Sequence, residues 1–445
     1  MRIVRGARAA LETLLRRTPG EEPDLPPEVR DVIRRVFGAE LDVAAVVDRI
    51  LGDVRTEGDA AVRRYNMAID GVEASDIPLE VSPAEVEAAV QQIDPPLLDF
   101  LRQAAERIRT FHQWQLEHSL RGFEQNGLGQ VVRPLQRVGL YVPGTSVVYP
   151  STVLMLAVPA SVAGVGEIVM VTPARPDGSV SPLKLAAAAI AGVRRIFRAG
   201  GVQGVAALAY GTESVPRVDK ICGPGNIFIT LAKRRLYGEV GIDGVFGPSE
   251  TLVVADADAD AALVAADLLA GAEHDELATA ILLTDSEPLA QAVAREVDAG
   301  LETMARAAVA RTSLQAHGGA VVVDSLAEAI QLASDFAPEH LCLHLANAEG
   351  WAAQVRNAGC IFVGERSVES IGDYTAGPSH VMPTGRSAVF ASPLGVHDFL
   401  KITSIVRLDQ LTVDAVGPPA AAIARAEGLT GHARAVESRL QGAEP

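Results

Sequence analysis

Apolar residues recur every three to four positions from Leu41 to Asn66 and from Val86 to Leu116, a spacing that keeps them on one face of a helix. Pro- and Gly-containing breaks separate the two stretches. Pro95-Pro96 fits the opening of a helix that continues through Arg109-Thr110-Phe111-His112, since a first-turn proline gives up an N–H that has no partner there. From residue 138 the pattern changes to short apolar runs alternating with helical stretches. Ile168-Val169-Met170-Val171 precedes a Pro-rich loop and a helix from Pro182 to Ala191, and the small residues Val205-Ala206-Ala207-Leu208 lead to the loop Gly211-Thr212-Glu213. A second series begins at Thr251-Leu252-Val253-Val254 and runs on through a helix from Ala261 to about Ala272. Ile281-Leu282-Leu283, a long helix around Ala290 to Ala310, and Ala320-Val321-Val322-Val323 follow. A helix from Leu326 to Ser334 and the run Cys360-Ile361-Phe362-Val363 close the series, and beyond residue 395 the pattern is mainly helical, with a break at Pro418-Pro419.

This alternation predicts an α/β protein with two units built on parallel sheets. At 445 residues the chain is too long for one compact core. Aromatics are 4% of residues against 48% hydrophobic, which favours helices packed on parallel strands over an aromatic-rich sandwich. Gly164-Val165-Gly166 precedes a strand and lacks a third glycine, so it fails as a dinucleotide fingerprint. Lys and Arg total 39 against 56 Asp and Glu, a net charge of -17 that would repel a phosphate backbone and argues against nucleic acid as a partner. Three cysteines without a CxxC read as reduced thiols, not a disulfide framework. No apolar run reaches the length of a membrane span, and Met1-Arg2-Ile3-Val4-Arg5 lacks a signal-peptide core, so the expectation is a soluble, cytoplasmic protein.

Four segments could carry chemistry. In Ala337-Pro338-Glu339-His340-Leu341 a carboxylate and an imidazole stand side by side at the edge of an α/β unit and could supply a base and a second proton acceptor, the histidine suited to taking an alcohol proton. The same two residues would also serve as a helix cap and a packed histidine. Gly372-Asp373-Tyr374 through Ser379-His380 is a Gly- and Pro-bearing loop that could present Asp373 and His380 to a pocket, although loop aspartates more often stabilise turns. Gly271-Ala272-Glu273-His274-Asp275 reads as a solvated helix end, and His432, in Glu427-Gly428-Leu429-Thr430-Gly431-His432, as an exposed or packing histidine. Taken together, His274, Asp373 and His432 offer the nitrogen and oxygen donors that zinc accepts. Only a fold could bring them together. Cys222 and Cys360 would suit a thiohemiacetal mechanism, but neither has a neighbouring histidine or helix start to favour the thiolate.

In this order and spacing, the segments resemble the histidinol dehydrogenase family from about Val46 to Arg439. The resemblance rests on Arg137-Val138-Gly139-Leu140-Tyr141-Val142-Pro143-Gly144, Tyr210-Gly211-Thr212-Glu213-Ser214-Val215-Pro216, Gly223-Pro224-Gly225-Asn226 and Gly247-Pro248-Ser249-Glu250, together with the Glu339-His340 and Asp373 segments and Glu427-Gly428-Leu429. It implies a zinc- and NAD-dependent oxidation of histidinol through the aldehyde to histidine. It also implies two incomplete Rossmann-like domains: one discontinuous, of residues 41–138 and 249–395, carrying the active-site motifs, and one of residues 139–248 binding NAD. A helical N-terminal extension of residues 1–40 and a helical tail of residues 396–445 that crosses to the second subunit of a homodimer complete the implied architecture. His340 matches the family's general base and Glu339 the residue that activates water. His274, Asp373 and His432 match zinc ligands, the last from the other subunit. Ser249, His380 and Glu427, with the zinc-ligand positions, match substrate contacts, and Tyr141, Gln203 and Asn226 match the NAD site.

Where the family carries a Gln that binds zinc, this chain has Gly271. Water could fill the vacancy, Asp267 one turn earlier could reach in, or the metal is weakly held or lost. Ser379 replaces an Asn, Thr145 a common Gly, and Pro393 with Gly395 alters another family segment. Two other readings stay open at this stage: a paralogue that oxidises a different polar alcohol, and a silent binding relative that has lost its metal.

Overall fold

A computed structural model describes residues 1–17, 25–73, 77–144 and 148–440. The chain divides into two units, one of Met1–Glu117 and Leu135–Phe399, the other of His118–Pro134 and Leu400–Pro445. The larger unit holds two sheets. The first has six parallel strands in the order β1 (Ile3–Arg5), β11 (Gly319–Val322), β10 (Thr279–Thr284), β9 (Glu250–Ala255), β12 (His340–His344), β13 (Cys360–Val363). The second has five parallel strands in the order β6 (Arg195–Arg198), β5 (Glu167–Thr172), β4 (Arg137–Tyr141), β7 (Lys220–Cys222), β8 (Gly241–Ile242).

Successive side chains of a strand point to opposite faces, and both faces of the six-stranded sheet are covered. Val253, Ala280, Leu282, Ala320 and Cys342 enter one core; Leu252, Val254, Ile281, Leu283, Val321, Leu341 and Leu343 enter the other. That double burial is why β9 and β10 read as continuous apolar runs. Each fully buried Leu or Ile contributes about 1.5–3 kcal/mol relative to an exposed one.

Four departures from the sequence reading bear on how the chain is organised, beside local ones such as the helix expected around Ala290 to Ala310, which is two helices, Glu287–Gly300 and Ala307–His317. Residues 1–40 are expected to be helical, yet Ile3–Arg5 pairs with β11 as an edge strand. Three residues are too few for a period to show, and the pairing partner lies more than 300 residues away. The helices Val43–Glu57 and Asp59–Ala68 share a core with Val169, Phe197 and the helix Gly201–Tyr210, and so pack on the five-stranded sheet. The smaller unit contains the antiparallel strands β2 (Phe123–Gln125), β3 (Leu128–Pro134) and β14 (Leu400–Val406), in the order β14-β3-β2. The β-branched residues Ile402, Thr403, Ile405 and Val406 are the local signal for a strand in a stretch that otherwise reads as helical. Finally, the helix Gln410–Ala426 runs straight through Pro418 and Pro419. An alanine run follows the prolines, and Ala421 and Ala424 pack on Ala433 of the helix Thr430–Glu437, which offsets the lost backbone bonds.

Gly164 ends the helix Pro150–Ala163 in the left-handed conformation, which explains why Gly164-Val165-Gly166 is a helix stop and not a nucleotide loop. Among the described residues no helix is long and apolar enough to cross a membrane.

Candidate active site and metal centre

Glu339 and His340 owe their position to a helix stop. The helix Leu326–Phe336 closes on Ala337 with φ 52°, and Pro338 then starts the extended run into β12. His340 opens β12 between Thr251 of β9 and Cys360 of β13, and the Cys360 N–H donates to the Glu339 carbonyl at 2.8 Å. Both side chains are buried. The Glu250 N–H donates to Glu339 Oε2 at 3.1 Å, and Glu250 is itself paired to Arg17. Ser249 lies just ahead of β9, its carbonyl accepting from the Thr279 N–H at 2.9 Å.

Asp373 sits in a single π-helical turn, Gly372–Ala376, that continues the short helix Glu369–Ile371. Such turns widen the backbone and re-aim side chains, and they concentrate at functional sites. A Cβ at Gly372 would lie 2.5 Å from the Phe362 ring, and Gly377 has φ 129° against Phe111 and Arg107, so the turn is closely fitted to its neighbours. His274 comes from the other direction, two residues past the helix Ala261–Ala272. Its Nε2 is 3.9 Å from Asp373 Oδ2. His340 Nε2 is 3.7 Å from Asp373 Oδ1, and His340 Nδ1 is 3.2 Å from Glu369 Oε1 and 4.0 Å from Glu339 Oε2. Ligand atoms of His274, Glu369 and Asp373 all lie within 4.8 Å of one another. His380 Nδ1 meets the Asp373 carbonyl at 2.9 Å and its Nε2 meets Thr152 Oγ1 at 3.2 Å, so the ring ties the Asp373 turn to the helix Pro150–Ala163.

The electrostatics follow from burial. His340 is held at a pKa of about 3 by burial first and by His274 and His380 second, so its ring is neutral at physiological pH. Burial likewise lowers His380 to about 4. Burial raises Asp373 to about 6, opposed by His274. Glu339 is pushed well up by burial and then by Glu250, Glu369 and Asp373; Glu369 is pushed well up by burial and Asp373. These are carboxyl groups crowded together out of water, where ionising all of them requires positive charge. The ring nitrogens of His340 are buried with no hydrogen-bond partner among the described residues. One imidazole and two carboxylates, from His274, Glu369 and Asp373, form a donor set that fits zinc.

Tyr141, Gln203 and Asn226 all lie at the C-terminal edge of the five-stranded sheet, the edge at which open α/β sheets bind ligands. Tyr141 ends β4, Gln203 is in the first turn of the helix Gly201–Tyr210, and Asn226 caps the helix Ile227–Leu236 by accepting from the Phe228 and Ile229 N–H groups. Gly223, with φ 129°, brings the preceding loop so close that a Cβ would fall 2.1 Å from the Tyr141 carbonyl. Lys233 fixes that loop through the Gly223 carbonyl at 2.9 Å and Asp243. Gln203 is fully buried; its Nε2 donates to Asn66 Oδ1 and Asp70 Oδ2, and its Oε1 has no partner among the described residues.

Asp70, beneath Gln203, is raised from 3.8 to about 7 by burial, opposed by the Gln203 bond. The folded chain therefore keeps a proton there that the unfolded chain releases. Its stability contribution is complete below pH 3.8 and is lost as pH rises to about 7. Asp70→Asn should leave the acceptor in place and remove the ionisation cost. Between pH 5 and pH 8 the stability difference should move in favour of the variant by roughly 1–3 kcal/mol. Urea unfolding at the two pH values checks this, and an identical difference at both would refute it.

Of the residues singled out in the sequence, Glu339, His340, His274, Asp373 and His380 converge in the larger unit. Glu427 and His432 belong to the smaller unit and are exposed, Glu427 ending one helix and His432 within the next. Asp267 does not fill the place left by Gly271. Its Oδ2 is 2.8 Å from Nε2 of His344, both side chains are buried, and His344 is at the far end of β12 from His340. Ser379 has a structural partner, the Met155 carbonyl. Thr145 lies outside the described residues. The thiols of Cys222 and Cys342 are driven well up by burial, and Cys360 is raised to about 11, so none is a poised nucleophile. Sequence reasoning missed Glu369 and its partner Thr251, whose hydroxyl donates to both Glu369 oxygens, at 3.1 and 2.8 Å. Nothing in Ser367-Val368-Glu369-Ser370 marks a ligand.

A family model described as histidinol dehydrogenase matches residues 34–440. The chain is 49% identical over 429 residues to the histidinol dehydrogenase of Aromatoleum aromaticum, covering 96% of this chain and 98% of that protein. It is 51% identical over 415 residues to that of Moorella thermoacetica, covering 92% and 98%. The crystal structure of histidinol dehydrogenase from Elizabethkingia anophelis is similar with a TM-score of 0.89 at 32% identity, covering 99% of this chain and 98% of that one.

Proposed function

The chain belongs to the histidinol dehydrogenase family, and from that membership we propose that it oxidises L-histidinol, through histidinal, to L-histidine with NAD, the last step of histidine biosynthesis. The observation that carries the reading is the convergence of His274, Glu339, His340 and Asp373, from three distant stretches of chain, on one cluster in which all but the part-exposed His274 are buried. When bound, zinc would hold the amino and imidazole nitrogens of the substrate and NAD would take up the hydride of each oxidation.

The remaining roles fall to the chain's own side chains. The neutral His340 ring accepts the hydroxyl proton as the carbinol carbon is oxidised, and the carboxylates of Asp373 and Glu369 beside it stabilise the imidazolium. Glu339 takes a proton from the water that attacks the aldehyde. His274 and Asp373 hold the metal, with His432 from a second copy of the chain. Ser249, His380 and Glu427 contact the substrate, and Tyr141, Gln203 and Asn226 serve NAD. In this reading the five-stranded sheet is the NAD-binding domain and the six-stranded sheet carries the chemistry.

Steady-state NADH production from L-histidinol, compared with a panel of small polyols, tests the assignment. Two NADH per histidine are expected, and no turnover of histidinol would overturn it.

Sharing of the site between copies has its own test. His432→Ala and His340→Asn should each be inactive, but subunits mixed after reversible dissociation should recover about a quarter of the parent activity, because half of the dimers then carry one intact site. Mixtures that stay inactive although heterodimers form would exclude a His432 contributed by the second copy.

A further inference from the structure

We propose that Glu369 is a ligand of the active-site metal, joining His274 and Asp373 in a set that needs no side chain from position 271. The inference rests on the zinc-dependent reading above, in which Glu369 only steadies the protonated His340 ring, and gives that carboxylate a place on the metal.

The geometry comes first. The three ligand atoms lie within 4.8 Å of one another, and a tetrahedral zinc with bonds of about 2.0–2.2 Å needs its ligands about 3.3 Å apart, within reach of small side-chain rotations. Glu369 and Asp373 are buried, and among the described residues their ion pairs are with His340 and His274, not with lysine or arginine. Arg17, which serves the adjoining carboxylate, is bound to Glu250. A divalent cation would supply the positive charge that this pocket lacks. The buried ring of His340, with neither nitrogen hydrogen-bonded among the described residues, opens on the same carboxylates, an independent sign that a group belongs there.

Position 271 shows how the site is built instead. A Cβ on Gly271 would lie 2.2 Å from Thr251 Oγ1 and 2.7 Å from Thr251 Cβ, so the space beside Gly271 is occupied, not vacant. The threonine standing there gives its hydroxyl to Glu369 and fixes that carboxylate beside His274 and Asp373. Gly271, Thr251 and Glu369 thus form one packed unit: the glycine admits the threonine, and the threonine aims the glutamate. An outer-shell hydrogen bond of this kind orients a metal ligand.

The test is metal affinity of the full-length chain, stripped with chelator and titrated with zinc against a chromophoric competitor. Its second readout is the visible absorption spectrum of the cobalt(II)-substituted protein. Glu369→Ala should weaken zinc at least about a hundredfold, the upper end of what loss of an outer-shell partner causes, and match the ligand control His274→Ala. The near-isosteric Glu369→Gln, which guards against a folding defect, should also weaken zinc and shift the cobalt bands. Thr251→Val should cost about tenfold as an outer-shell loss. Gly271→Gln should gain nothing, because the new side chain must displace Thr251. If both Glu369 variants bind zinc within about threefold of the parent with unchanged cobalt bands, Glu369 is not a ligand although the zinc reading survives. A gain in zinc affinity in Gly271→Gln would equally overturn the assignment. A parent chain that takes up neither ion would sink the zinc reading itself, and this inference with it.

Discussion

Replacing His340 with asparagine is expected to lower kcat for histidinol by about 10²- to 10⁴-fold, the range that a positioned general base contributes. The ring is neutral because burial, with His274 and His380 nearby, holds its pKa at about 3, so a free lone pair awaits the hydroxyl proton. So low a pKa would make a feeble base in isolation. The carboxylates at 3.2 and 3.7 Å are what make the protonated ring tolerable, and they act only once the proton has arrived. Asparagine has no comparable lone pair to receive a proton. KM for histidinol and zinc content should change little, because neither role belongs to the ring. The substitution leaves a void beside Phe362, whose ring centroid is 6.0 Å from that of His340, so a modest fall in melting temperature is also expected. A variant that keeps more than a tenth of the parent kcat would remove His340 from the proton transfer.

The second large effect is expected at Glu339, and it should split the reaction in two. Glu339→Gln keeps an oxygen for the Glu250 N–H, at 3.1 Å in the parent, and so keeps the backbone arrangement. It cannot take a proton from water. Oxidation of histidinal should therefore fall by about 10²- to 10⁴-fold while alcohol oxidation falls far less. Measured NADH per histidine should rise above two, with aldehyde accumulating and trapped by semicarbazide. Burial and the neighbouring carboxylates push the Glu339 carboxyl well up, and positive charge placed beside it favours the carboxylate form that accepts a proton. Equal loss of both half-reactions would show that Glu339 holds the site together and does not activate water.

These predictions rest on residues that were legible as segments long before they were legible as a site. In Ala337-Pro338-Glu339-His340 the pairing of a carboxylate with an imidazole is legible locally, whereas the helix stop at Ala337, in the left-handed conformation, and the strand His340–His344 that follows it are not. Asp373 was legible as a loop residue between glycines, but not as part of a π-helical turn, because that geometry depends on Phe111, Arg107 and Phe362 packing against Gly372 and Gly377. Helical periodicity alone puts Asp267 one turn before Gly271, on the side of the metal ligands. The partner that claims it, His344, sits 77 residues away on a strand whose far end carries His340.

The sequence by itself determined the alternation of strand and helix, the two parallel sheets, the failure of the glycine fingerprint and the family. Each of these is written in short-range periodicity or in ordered motifs. Only the tertiary structure decided which carboxylates share the pocket. Glu369 lies 95 residues after His274 and 118 after Thr251, and no local pattern links them. It is sheet register, bringing Thr251 level with His340 and against Gly271, that does so. A vacancy inferred from one missing side chain was a statement about a list of residues. Whether space is empty depends on what packs into it, and close packing had already placed a threonine there.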